Sequence, residues 1–182
     1  MWDVKETRTA LLEAANTVIL RDGIAHLTLE ATAREAGVSK GGLLHHFPSK
    51  EALVRGLLEH YLALFEAELS RRMAQDPDPR GRFSRALIGA TFDADPHQPM
   101  LRASLLAALA LNPELLKPVR AAFDGYQQRI EDDGLGAAHA TLLRLAADGL
   151  WFADLLHLAP PQGALREQLR RRLLALTHRE TE

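Results

Sequence analysis

The stretch LTLEATAREAGVSKGGLLHHFPSKEALV, Leu27–Val54, decides how the chain is read. Thr28 is a good N-cap, and Glu30 in the following turn suits the positive end of the helix dipole. Leu29, Ala33 and Ala36 are spaced to face inward, and Gly37 stops this helix. Val38 is an apolar plug in the turn, and Ser39 caps a further short helix through Lys40 to about His46, ended by Pro48. Ser49 then caps a fourth. Two short helices joined by a tight Gly-containing turn are the sequence form of a helix-turn-helix.

An ordinary helical hairpin has the same pattern, but two details favour nucleic acid. Gly41 and Gly42 sit together at the start of a short helix, where each costs roughly 1 kcal/mol relative to Ala. Glycines instead let backbone approach a phosphate or base edge closely. Lys40, His45, His46 and Lys50 cluster there with no acid between Glu35 and Glu51, so the local field is positive. The tally over the first sixty residues runs the other way, and the net charge of the chain is −2. A DNA reading therefore rests on where charges sit.

Working outward, leucine and alanine dominate, β-branched residues are scarce and no segment alternates with period two, which predicts an all-α fold. A first helix is expected from about Asp3 to Arg21, with Leu12, Ala15 and Ile19 on one face and Gly23 as a left-handed C-terminal cap. The fourth helix should run from Lys50 to about Met73, and Asp76-Pro77-Asp78-Pro79 is the clearest break in the chain. Further helices are expected over Arg82–Ala94, about Pro99–Leu111, Glu114 to about Asp133, Ala137 to about Leu158 and about Ala164–His178. That makes about nine, arranged as a helix-turn-helix domain over 1–48, a bridging helix over 49–76 and a helical bundle over 77–182.

Hydrophobic residues make up 47% of the chain, enough for a sizeable core, and there is no cysteine for disulfides or thiolate metal sites. The first residues carry charges where a signal peptide needs an apolar run, and LRASLLAALAL falls short of the ~20 residues that span a bilayer. A soluble cytoplasmic protein without membrane contact is expected. The motifs G-x-S-x-G, H-E-x-x-H and a Gly-rich phosphate loop do not occur. Glu-x-x-His pairs for a di-iron bundle are missing too, and His45 and His46 diverge by about 100° on a helix. The reading is therefore of a non-enzyme, with no cofactor and no metal.

The segment GVSKGGLLHHFPSKEALV, with the helix ending at Asp22-Gly23 before it, resembles the DNA-binding signature of the TetR family of transcriptional repressors. The resemblance covers about the first sixty residues. It implies a two-fold homodimer on a near-palindromic double-stranded operator, with a divergent C-terminal domain that binds a small effector and relieves repression. Carried over by position, it makes Lys40–Phe47 the reader of the major groove. Thr28 bonds a phosphate as well as capping; Ser39, Lys40, Gly41 and Gly42 approach base edges or backbone; His45 and His46 meet the groove and its wall; Lys50 holds a phosphate. Leu43 and Phe47 point into the core. Where the family usually has tyrosine, this chain has Leu44, which cannot donate to a phosphate and predicts weaker or more salt-sensitive binding.

In the second half, Trp151, Leu155 and Leu158 share a helical face, and Asp154 and His157 share another. An acid beside an aromatic suits an amphipathic or cationic ligand; the alternative is a packed core with Asp154 paired to His157 or solvated. Phe92, Met100, Leu105, Phe123 and Tyr126 join Trp151, Asp154 and Leu155 as candidate pocket walls by size and place. Leu165, Leu169, Leu173 and Leu176 form a stripe on the last helix. The family pairs its two final helices with their counterparts, which makes that stripe, with Gly149 for close approach, a candidate dimer interface; closing the monomer's own core is the other use. A helical adaptor that keeps the hairpin but reads no specific DNA is the competing function.

Overall fold

The computed structural model describes residues 4–93, 104, 108 and 111–178. These contain eight α-helices: α1 (Val4–Asp22), α2 (Leu29–Glu35), α3 (Lys40–His46), α4 (Lys50–Gln75), α5 (Arg82–Phe92), α6 (Lys117–Glu131), α7 (Ala137–Leu156) and α8 (Gly163–Leu176). Short 3-10 turns occupy Ile24–His26 and Pro113–Leu116. No strand occurs among the described residues, so the all-α expectation holds. The helix expected over about Pro99–Leu111 lies outside the described residues except for Ser104, Ala108 and Leu111, which are helical. No helix among the described residues is long and apolar enough to cross a membrane.

The chain divides into two compact units, Met1–Leu62 with His97–Arg120, and Ala63–Pro96 with Ala121–Glu182, each taken as far as its residues are described. In the first unit Leu12, Ala15, Val18, Leu43, Leu53 and Leu57 are fully buried. In the second, Leu69, Phe83, Ile88, Tyr126, Ile130 and Leu143 belong to one apolar core.

Most helix ends fall where the residues predict; Gly23, Asn112-Pro113 and the end of α7 are the exceptions. Gly23 follows α1 with φ 86 but ψ 163, so it turns the chain at positive φ without adopting the left-handed helical cap. Gly37, at φ 67, is the glycine in the left-handed region within the helix-turn-helix turn. Asn112-Pro113 begins a 3-10 turn, with the Glu114 amide donating to Asn112 Oδ1 at 2.9 Å, and the α-helix starts only at Lys117. α7 stops at Leu156 because His157 adopts φ 54, ψ 40; the amide of Leu158 then donates back to the Ala153 carbonyl at 2.9 Å, closing the helix end. Leu158, expected on the face of Trp151 and Leu155, is left 63% exposed.

Candidate functional site

The helix-turn-helix is built by short-range hydrogen bonds. Thr28 Oγ1 accepts from the Ala31 amide at 3.0 Å, Ser39 Oγ from the Gly42 amide at 3.1 Å, and Ser49 Oγ from the Ala52 amide at 3.1 Å. Each satisfies a donor that a helix start otherwise leaves to water. With its start fixed by Ser39, α3 buries Leu43 and leaves Lys40, Gly41, Gly42, Leu44 and His45 exposed. Phe47, just beyond its end, is buried, and the Arg8 guanidinium lies 5.3 Å from its ring centroid. His46 is half-buried, its ring edge-on to His45 at 5.5 Å between centroids. Lys50, first residue of α4, is half-buried. A Cβ at Gly41 or Gly42 would come no closer than 3.4 Å to any atom outside the helix backbone, so neither glycine is required by packing. Thr32 was not singled out by sequence, yet it is fully buried, and its hydroxyl has no partner among the described residues.

The charges differ from the sequence picture. Lys40 Nζ is ion-paired with Glu30 of α2, so the first cation of α3 is already engaged. That bond holds the Glu30 carboxyl below its usual range. Arg21 binds Asp22 and Glu35 at 2.9 and 2.8 Å, and Arg8 reaches Glu59 at 3.5 Å. Several acids that outnumbered the bases are therefore pairing partners within this unit.

In the second unit Phe83, Phe123, Tyr126 and Trp151 form a ring series: Tyr126 lies 6.1 Å from Phe83 and 5.9 Å from Phe123, and Phe123 lies 6.3 Å from Trp151. Burial pushes the Tyr126 phenol up to about 12, with the Glu66 carboxylate adding to the shift. Phe92 and Leu155 are buried. Met100 and Leu105, like Asp95, lie outside the described residues. Asp154 corrects an expectation: its carboxylate is held by Arg166 of α8, through Nη1 at 3.1 Å and Nη2 at 2.9 Å. α7 ends at Leu156, and His157 follows it in the left-handed region. Arg166 also lies 5.5 Å from the Phe92 ring centroid. An open hollow of about 330 Å³ is lined by Arg72, Gln75, Asp76, Pro77, Arg85 and Ala86, none of them a predicted pocket residue.

The leucine stripe of α8 divides. Leu173 and Leu176 pack on the core of their own unit, whereas Leu165 and Leu169 are 55% and 38% exposed. A Cβ at Gly149 would meet nothing within 4 Å.

Two family models match the chain. One, bacterial regulatory proteins of the tetR family, covers residues 11–57; the other, the tetracyclin repressor-like C-terminal domain, covers 81–178. The chain belongs to the TetR family. Its sequence is 36% identical over 89 residues to the HTH-type transcriptional regulator BetI of Paraburkholderia phytofirmans (strain DSM 17436 / LMG 22146 / PsJN), covering 48% of this chain and 45% of that protein. The chain thus spans about half the length of the curated relatives it matches. Among solved structures, a transcriptional regulator from Rhodococcus sp. Rha1 shares the fold, with TM-score 0.70, 23% identity and coverage of 93% of this chain and 95% of that one. The multidrug binding protein EbrR complexed with ethidium is similar as well, with TM-score 0.65, 25% identity and coverage of 94% and 98%.

Read as a TetR-family chain, the molecule has a surface that sequence reasoning missed. Leu142, Leu145, Phe152 and Leu156 of α7 are 66%, 52%, 46% and 45% exposed. With Gly149 they fall at successive spacings of three, four, three and four, a stripe along one helix face that the sequence carries openly. Among the described residues no group of three or more His, Asp or Glu is placed to hold a metal.

Proposed function

We propose that this chain is a DNA-binding transcriptional regulator, a homodimeric repressor that leaves a near-palindromic operator when a small molecule binds. The observation that carries the reading is α3: capped at its start, anchored by Leu43 and Phe47, and presenting Lys40, Gly41, Gly42, Leu44 and His45 outward. Residues 1–48 form the reading domain, 49–76 the bridge and 77–182 the effector-binding and dimerisation domain. Lys40, His45 and His46 address the major groove; Thr28, Ser39 and Lys50 address phosphates; Leu44 covers a thymine methyl or sugar surface.

Dimerisation through α7 and α8 is supported by the exposed Leu142, Leu145, Phe152, Leu156, Leu165 and Leu169 around the open Gly149. Exposed apolar faces of this kind mark association surfaces. Two reading helices then enter successive major grooves about 34–36 Å apart. The effector class favoured by the ring series Phe123, Tyr126 and Trp151 is a flat aromatic molecule. The ethidium named for EbrR supports the same class. A cationic effector would compete with Arg166 for Asp154. To move a 1:99 population to 99:1 the effector needs ~5.5 kcal/mol of differential affinity. The protein works in the cytoplasm, where its operator is, and as a regulator rather than an enzyme.

The deciding experiment is a mobility shift against promoter fragments at several salt concentrations. Absence of any sequence-selective shift at low salt sinks the reading and favours the adaptor. If selection is seen, Lys50→Ala weakens all DNA about equally and reduces the salt slope by about 1, whereas His45→Ala changes operator preference.

A further inference from the structure

The Lys40–Glu30 ion pair joins the two helices of the motif across their turn. Both backbones are fixed where it forms. Lys40 is the first residue of α3, directly after the Ser39 cap, and Glu30 stands in the first turn of α2, two residues after the Thr28 cap. Both side chains are more than half exposed, so the pair stabilises the fold little. Its position matters more, because Lys40 stands on the face offered to DNA and Glu30 is an acid beside a group assigned to phosphate.

We propose that Glu30 is a specificity-determining residue, which holds Lys40 neutralised on unrelated sequence and yields it only to a base edge that binds it better. The inference rests on the DNA-reading function argued above. On a random duplex Lys40 has only phosphate to gain, and leaving Glu30 strands a carboxylate in a field of like charge. One phosphate contact per reading helix is then forfeited, together with the counterion release that accompanies it. On the operator a strong acceptor pair, such as guanine O6 and N7, competes with the carboxylate and draws the ammonium away. Glu30 therefore weakens random binding more than cognate binding.

The test uses the full-length protein, its operator enriched from a random duplex library by the wild type, and a random-sequence duplex, with affinity measured across a salt series. Glu30→Gln keeps the Thr28 cap and the helix. It is expected to raise affinity for the random duplex several-fold and to steepen its salt slope by about 0.9 per reading helix. Cognate affinity should rise less, so the discrimination ratio falls. In a Lys40→Ala background the steepening should vanish, because no ammonium remains to be released. An unchanged slope in Glu30→Gln overturns the proposal, and so does equal steepening in the Lys40→Ala background, which would make Glu30 a surface charge only. A wild type that enriches no duplex defeats the DNA reading itself, a different failure recognised before either variant is made.

Discussion

α2 and α5 begin in contrasting ways. α2 is capped by the residue just before it, Thr28, whose hydroxyl accepts from Ala31 three positions on. α5 has Gly81 at the equivalent place and no side-chain cap of its own. Its first amides are instead satisfied by Asp133, whose carboxylate accepts from Phe83 at 2.9 Å and Ser84 at 2.7 Å and whose carbonyl accepts from Gly81 at 2.7 Å. The same physical need, donors at a helix start, is met locally in the first unit and from some fifty residues away in the second. The helix-turn-helix thus carries its geometry within short segments, whereas the start of α5 depends on packing to complete its polar bonds.

The difference can be broken most sharply at Asp133, which is 8% exposed. Asp133→Ala leaves two buried amides without a charged acceptor and should cost about 3 kcal/mol in urea unfolding. Thr28→Ala should cost only about 1 kcal/mol. Equal losses would mean that the distant cap is no stronger than the local one.

A second comparison concerns glycines. At Gly56 a new Cβ would stand 2.7 Å from Phe47 Cε1, a side chain only 2% exposed. Gly56→Ala should destabilise by about 1–3 kcal/mol through overpacking, and weaken DNA binding because Phe47 anchors the end of α3. At Gly125, inside α6, a Cβ meets nothing within 4 Å. There the alanine should stabilise by about 0.5–1 kcal/mol, read as a rise in Tm.

Charge pairs in the second unit supply the smallest effect, a pH dependence of two signs. Glu68 is held at about 2 by Arg71 first and Arg72 after it, against an ordinary value of 4.5. A depressed folded pKa means that the unfolded chain binds more protons in between, so this stabilisation is complete above about pH 4.5 and is lost as pH falls toward 2. Glu68→Gln should flatten that limb of stability against pH. Asp148 behaves oppositely: burial raises its carboxyl above 3.8 despite the Arg144 ion pair, so it lowers stability as pH rises through that window. Asp148→Asn should remove that fall. A wild-type profile unchanged by both variants would show that neither pair contributes.

The legibility of the chain follows the same division. Thr28, Ser39 and Ser49 were readable as caps because a hydroxyl and the amide three residues on belong to one local turn. Leu43 and Phe47 were readable as core from their spacing. The local basic cluster counts Lys40 without its acid, because Glu30 lies across the turn on the preceding helix. For Asp154 the sequence offers a ligand, His157 or solvent and not Arg166, because nothing local tells that α8 brings that arginine beside it. The stripe Leu142–Leu145–Phe152–Leu156 had a clear period, but periodicity alone does not separate a buried face from an exposed one.

By itself, then, the sequence determined the helical class, the punctuation of most helices, the capped helix-turn-helix and the outward face of α3. These depend on bonds and spacings within a few residues, where chain connectivity sets the geometry. Only the tertiary structure decided which acid holds Lys40 and which arginine holds Asp154. It also decided what caps α5, and which leucines of α8 close their own unit while Leu165 and Leu169 remain exposed. Those outcomes turn on how helices distant in sequence are set against one another, and charge pairs and apolar faces can be satisfied by more than one partner until that packing is made.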